Sequence, residues 1–66
     1  MKFKFLGKKT LIVDSFTPHK VYQLIQFEHY NGYLCAYFID DNKEITCVPY
    51  KSMDTFNENW KVINND

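Results

Sequence analysis

Tyr33 to Ile39 alternates in side-chain character, Asp40-Asp41-Asn42-Lys43 interrupts the pattern, and Glu44 to Val48 alternates back. Strand side chains point to opposite faces in turn, so two such runs around a polar tetrad read as a β-hairpin. Burial then argues for a register. If Ile39 faces Glu44, Phe38 faces Ile45 and Ala36 faces Cys47, and Leu34, Ala36, Phe38, Ile45 and Cys47 form one apolar face. A slip of one residue sets Phe38 against Glu44 and breaks that face. In the favoured register Cys35 and Cys47 point to opposite faces, which argues against a disulfide between them.

The rest of the chain gives short strands and turns. Lys2 to Leu6 alternates, with Phe3 and Phe5 on one face and Lys2 and Lys4 on the other. Leu11-Ile12-Val13 reads as a short strand or as the arm of a long loop. Thr17-Pro18-His19 is a turn, since proline fixes its own φ and pushes Thr17 toward extended backbone. Lys20 to Glu28 is the strongest strand outside the hairpin. Val21, Gln23, Ile25 and Phe27 face one way and Tyr22, Leu24 and Gln26 the other, as in a central, curved strand. Asn31-Gly32 then suits a turn needing two positive φ angles. Beyond Pro49, Lys51 to Phe56 predicts one helical or 3₁₀ turn capped by Ser52, with Met53 and Phe56 both reaching the core. Trp60 to Ile63 is the last strand. The expected organisation is one domain over 1–63, with Asn64-Asn65-Asp66 a frayed tail and Phe3, Phe5, Leu24, Phe38 and Ile45 filling the interior.

Size narrows the functional classes. A 66-residue chain holds at most one domain. Such a domain buries only about 60% of the surface its unfolded chain exposes, which leaves little structure to shape a deep pocket. Six Phe, five Tyr and one Trp compensate, because each large ring fills much of a thin core. The formal net charge is +0, yet lysines dominate residues 1–20 (Lys2, Lys4, Lys8, Lys9 and Lys20 against Asp14), while acids outnumber lysines beyond them. That asymmetry makes a dipolar surface able to steer a charged partner. No arginine is present, which disfavours bidentate base or phosphate recognition. No apolar run is long enough to span a membrane, and the N-terminus lacks the apolar stretch of a signal peptide. The expected location is the cytoplasm, with Cys35 and Cys47 as thiols.

Five short strands, a long loop after the first and a helical turn before the last follow the order of an SH3-like barrel. Met1-Lys2-Phe3-Lys4-Phe5-Leu6-Gly7-Lys8, Lys20-Val21-Tyr22, Ile39-Asp40-Asp41-Asn42 and Pro49 with Phe56 shortly after together resemble a group of tiny SH3-like proteins of low-GC Gram-positive bacteria and their phages. Members tend to carry Gly-Lys-x-Tyr, Asp-Asp-x-Gly and Tyr-Pro steps. Here His19, Lys43 and Val48 replace the first step's Gly, the second's Gly and the third's Tyr. The resemblance implies an all-β, five-stranded SH3-like barrel with one short 3₁₀ turn before the last strand. The matching residues are turn and core positions, so it carries over no functional residue.

The candidate chemistry is sparse. His19, His29, Cys35 and Cys47 contain no closely spaced cysteine pair of the kind structural zinc uses, so no metal site is expected. No nucleophile–base set, glycine-rich phosphate loop or cofactor motif occurs, and the expectation is a non-enzyme without a cofactor. Asp40, Asp41 and Glu44 cluster at the hairpin tip, where solvated carboxylates are the default. The remaining reading is a protein-binding module that occludes a partner's surface, in the form of a phage or prophage accessory protein that blocks a host or defence protein. Tyr33, Tyr37, Val48 and Tyr50 are its expected contact residues, since tyrosine gives large contact area at low entropic cost. The alternative is a barrel for single-stranded nucleic acid that uses Tyr22, Tyr33 and Tyr37 beside Lys2, Lys4 and Lys20. Self-association through exposed edge strands is a further possibility.

Overall fold

Five antiparallel strands and one helix account for about two thirds of the described chain, residues 1–7 and 15–64 of the computed structural model. In order they are β1 (Lys2–Phe5), β2 (Val21–Tyr30), β3 (Tyr33–Ile39), β4 (Ile45–Tyr50), α1 (Met53–Asn59) and β5 (Trp60–Asn64). The strands form one open sheet in the order β4-β3-β2-β1-β5. The segment Leu11-Ile12-Val13 lies outside the described residues, as do residues 65 and 66. Asn64 is not part of a frayed tail: it pairs with Lys2 at the end of β5.

β2 joins the two halves of the sheet. Its first residues pair with β1 (Phe3 opposite Tyr22), and the remainder pairs with β3. Between the two lies a bulge: Leu24 opposes Phe38, but Gln26 opposes Tyr37, so Ile25 is an extra residue. An extra residue reverses which side chains face inward and bends the strand. Tyr22 and Leu24 point into the core before the bulge, and Phe27 packs against the core after it. Uniform alternation grouped Phe27 with Val21 and Ile25. The bulge instead leaves Val21 and Ile25 exposed.

The β3–β4 hairpin forms as expected, but one residue out of the favoured register. Ile39 opposes Ile45, Phe38 opposes Thr46, Tyr37 opposes Cys47 and Ala36 opposes Val48. The loop accounts for the shift. The Asp40 amide donates to the Glu44 carbonyl at 2.8 Å, the Lys43 amide donates back to the Asp40 carbonyl at 3.0 Å, and Lys43 takes φ 65°. That is a three-residue connection closed by a left-handed residue, one shorter than the tetrad implies. The Asp40 carboxylate locks it by accepting the Asn42 amide at 2.9 Å and the Glu44 amide at 3.0 Å, and its other oxygen accepts the Thr46 hydroxyl. Ile45 consequently points to water at 65% exposure, while Val48 is buried at 1%. Phe3, Phe5, Leu24 and Phe38 do fill the interior.

The core is built mainly of rings. Phe38 stacks on Trp60 with centroids 4.0 Å apart and planes at 11°. Phe3 meets Phe38 and Phe56 edge-on at 5.9 and 5.2 Å, and Phe16 meets Tyr22 and Trp60 edge-on at 4.9 and 5.3 Å. Offset and edge-on pairs of this kind each add about 0.5–1.5 kcal/mol beyond burial itself. The buried Trp60 indole N–H donates to the Tyr50 hydroxyl at 2.7 Å, so this polar atom is not left unpaired in the interior.

α1 is a full α-helix of seven residues rather than a single 3₁₀ turn. Ser52 caps it as expected, with extended backbone and its Oγ accepting the Thr55 amide at 3.3 Å. Phe56 turns inward, whereas Met53 stays exposed. The Leu6 amide donates to the Asn59 carbonyl at 2.8 Å, tying the helix end to the chain beyond β1. Gly7 follows at φ +78°, where a Cβ would sit 2.8 Å from the Cβ of Pro18, so this position requires glycine on both counts.

Candidate functional site

Alternation on either side of the Ile25 bulge gives the sheet two outer surfaces of different chemistry. On the β2–β3–β4 half, the observed register sends Glu28 and Tyr30, then Tyr33, Cys35, Tyr37 and Ile39, then Ile45, Cys47 and Pro49 to the outside. Among the large apolar and aromatic side chains of this set, Tyr30 and Ile45 are the most open at 65% exposure each, followed by Tyr33 at 47%. Tyr30 and Tyr33 oppose each other across the Asn31-Gly32 turn, whose φ angles of 50° and 80° fit a two-residue hairpin. With Asn31, Cys35 and Pro49 they line a shallow cavity of about 360 Å³.

Of the four expected contact residues, two reach this surface. Tyr33 is exposed, and Tyr37 is half-buried, its hydroxyl donating to Glu28 Oε1 at 3.1 Å. That bond to a carboxylate holds the Tyr37 phenol protonated and pushes its pKa up to about 12. Val48 and Tyr50 belong to the core instead, because the observed register turns even-numbered β4 residues inward. Tyr30, Ile39, Ile45 and Pro49 take their place. Tyr30 was legible from its position beside Asn31-Gly32, since a two-residue turn makes Tyr30 and Tyr33 partners. Ile45 required the correct loop length.

Cys35 and Cys47 share this outer side as diagonal neighbours on adjacent strands, contrary to the opposed placement expected from the other register. Both are free thiols, and burial pushes the Cys47 thiol up, with Cys35 beside it adding to the shift.

The second surface belongs to β1, β5 and the start of β2. Lys2 lies opposite Gln23, Lys4 opposite Val21 on one side and opposite Lys61 on the other. Where this surface meets the hairpin tip, a cleft of about 490 Å³ is lined by Lys2, Lys20, Val21, Tyr22, Gln23, Ile39, Asp40, Asp41 and Lys43. The acids at the tip are not the free, solvated groups expected. Asp41 accepts the Thr17 hydroxyl at 2.7 Å, the Tyr22 hydroxyl at 2.8 Å and Lys20 Nζ at 3.2 Å. These donors, the Thr17 bond first, hold its carboxyl below the usual range, and the Thr46 and Glu44 bonds do the same for Asp40. Tyr22 is buried, with its hydroxyl also accepting the Thr17 amide, so it offers no ring for stacking.

The exposed tyrosines and the lysine-rich surface therefore lie on different halves of the sheet. Among the described residues, no three His, Cys, Asp or Glu side chains come together as metal ligands, and no helix is long and apolar enough to cross a membrane. Comparison with known proteins matches the chain to no family model, no curated protein and no solved structure.

Proposed function

We propose that the protein is a small SH3-like module that acts without catalysis, by covering a functional surface of another protein with the outer face of its β2–β3–β4 half. The strand order, the sharing of β2 between both halves and the helix before β5 support the SH3-like assignment. So do His19 at φ 70° and Lys43 at φ 65°, the two positions where the resembled group carries glycine. The observation that carries the functional reading is the pair Tyr30 and Tyr33, exposed opposite each other at the Asn31-Gly32 end of this face and lining a shallow cavity with Cys35 and Pro49. Aromatic anchors on a rigid scaffold lose little freedom on contact, and an apolar centre with a polar rim is the usual anatomy of a docking surface. Blocking a host or defence protein, from a phage or prophage, is the biological setting we assign to it.

The test is affinity capture from a lysate of the source cells with tagged protein, compared with a Tyr33→Asp/Ile45→Asp variant. Both substituted side chains are exposed, so the variant keeps its fold, which circular dichroism checks. A captured protein that disappears with the variant supports the reading. Equal capture by both forms, or none by either, refutes it.

A further inference from the structure

We propose that the cleft bordered by Lys2, Lys20 and Lys43 binds a small ligand carrying two or more linked phosphate groups. The first support is a charge imbalance. Asp40 and Asp41, the acids lining the cleft, have their carboxylates occupied by protein donors, and Asp41 already neutralises Lys20. Both carboxylates stay ionised, so the three lysines of the lining exceed them by one positive charge, and Lys2 and Lys43 make no ion pair among the described residues. The second support is independent of the cleft. Lys4 and Lys61 stand directly opposite each other on β1 and β5. Like charges in that position destabilise a sheet, and a bound anion nearby relieves the repulsion.

The chemistry of the walls sets the ligand class. Ammonium groups are donors without acceptors and bind phosphate as point charges. Several of them around one opening suit an anion with more than one charged centre. The volume of about 490 Å³ falls among small-molecule sites. Val21 and Ile39 give an apolar wall, and Tyr22 is buried, so the described part of this surface offers no aromatic platform for the stacked bases of a single-stranded nucleic acid.

The experiment is an NMR titration of ¹⁵N-labelled protein with sodium pyrophosphate and with adenosine triphosphate, against sodium chloride at matched ionic strength. Saturable shifts are expected at Lys2, Val21, Gln23, Ile39 and Lys43. Lys2→Gln/Lys43→Asn, which keeps a residue tolerant of positive φ at 43, should weaken binding by about tenfold or more. A Tyr33→Asp variant should titrate like the wild type, since Tyr33 lies at the other end of β3 from Ile39 and the cleft. The proposal is overturned by shifts that chloride reproduces, by absence of saturation up to about 10 mM, or by undiminished binding to the lysine variant. It is also overturned if oligothymidylate binds and pyrophosphate does not.

Discussion

Replacing Val48 with Ala and Ile45 with Thr, each alone, tests the hairpin register through its energetic consequence. Val48 is 1% exposed between β3 and the aromatic core, and Ile45 is 65% exposed. Truncating Val48 removes two buried carbons, worth about 0.8 kcal/mol each in transfer free energy. The cavity left in a rigid ring-packed interior raises the total to about 2–3 kcal/mol. For a domain of this size about 4–8 °C of Tm accompanies each kcal/mol, so Tm should fall by about 10–20 °C. Ile45→Thr keeps a β-branched residue at an open position and should cost no more than about 0.5 kcal/mol, or about 4 °C. Urea unfolding followed by the fluorescence of the single tryptophan, Trp60, measures both differences. In the alternative register the two residues exchange roles. A larger loss for Ile45→Thr than for Val48→Ala would therefore refute the loop-length argument and the surface built on it.

Three further outcomes follow from the polar and backbone geometry. Asp40 has a folded pKa held below its unfolded value of about 3.9 by the Thr46, Glu44 and Asn42 bonds, so its contribution is complete above that value and disappears as pH falls through the folded one; the urea midpoint should be flat from about pH 7 to 5 and then drop, less steeply in Asp40→Asn. Tyr37 should ionise near pH 12 in an ultraviolet absorbance titration, and return toward about 10 in Glu28→Gln; because its folded pKa is raised, the stabilisation it reports is present below about pH 10 and fades as pH rises through 12. Gly7→Ala combines a left-handed φ with a Cβ only 2.8 Å from Pro18, and should lower stability by about 1–3 kcal/mol in the same urea assay.

Strand positions, both hairpin turns and the Ser52 cap were legible because each depends on local chemistry: alternation, Asn31-Gly32, and a serine before a short helical run. What alternation misses depends on offsets of a single residue. The Ile25 bulge and the three-residue loop closed by Lys43 each reverse the facing of everything beyond them, and alternation alone carries no mark of either. For that reason alternation puts Tyr33 and Tyr37 on the outer surface, where they lie, and also Val48 and Tyr50, which the core holds. Alternation gives no sign of Phe16, which lies outside any strand, although the core receives it between Tyr22 and Trp60. The roles of Asp40 and Asp41 were also out of reach, since their donors Thr46, Thr17 and Tyr22 become neighbours only after the chain has folded.

The pairing of Lys2 with Asn64 makes the two ends of the described fold partners on a single rung of one ladder, about 5 Å apart. A polypeptide could therefore enter and leave this domain at almost the same point. Such a unit can be spliced into a surface loop of a carrier protein without prying the loop open, and its own ends can be joined by a few residues while new ones are cut at the Asn31-Gly32 tip. Rearranged in that way, the chain would keep every rung of its ladder.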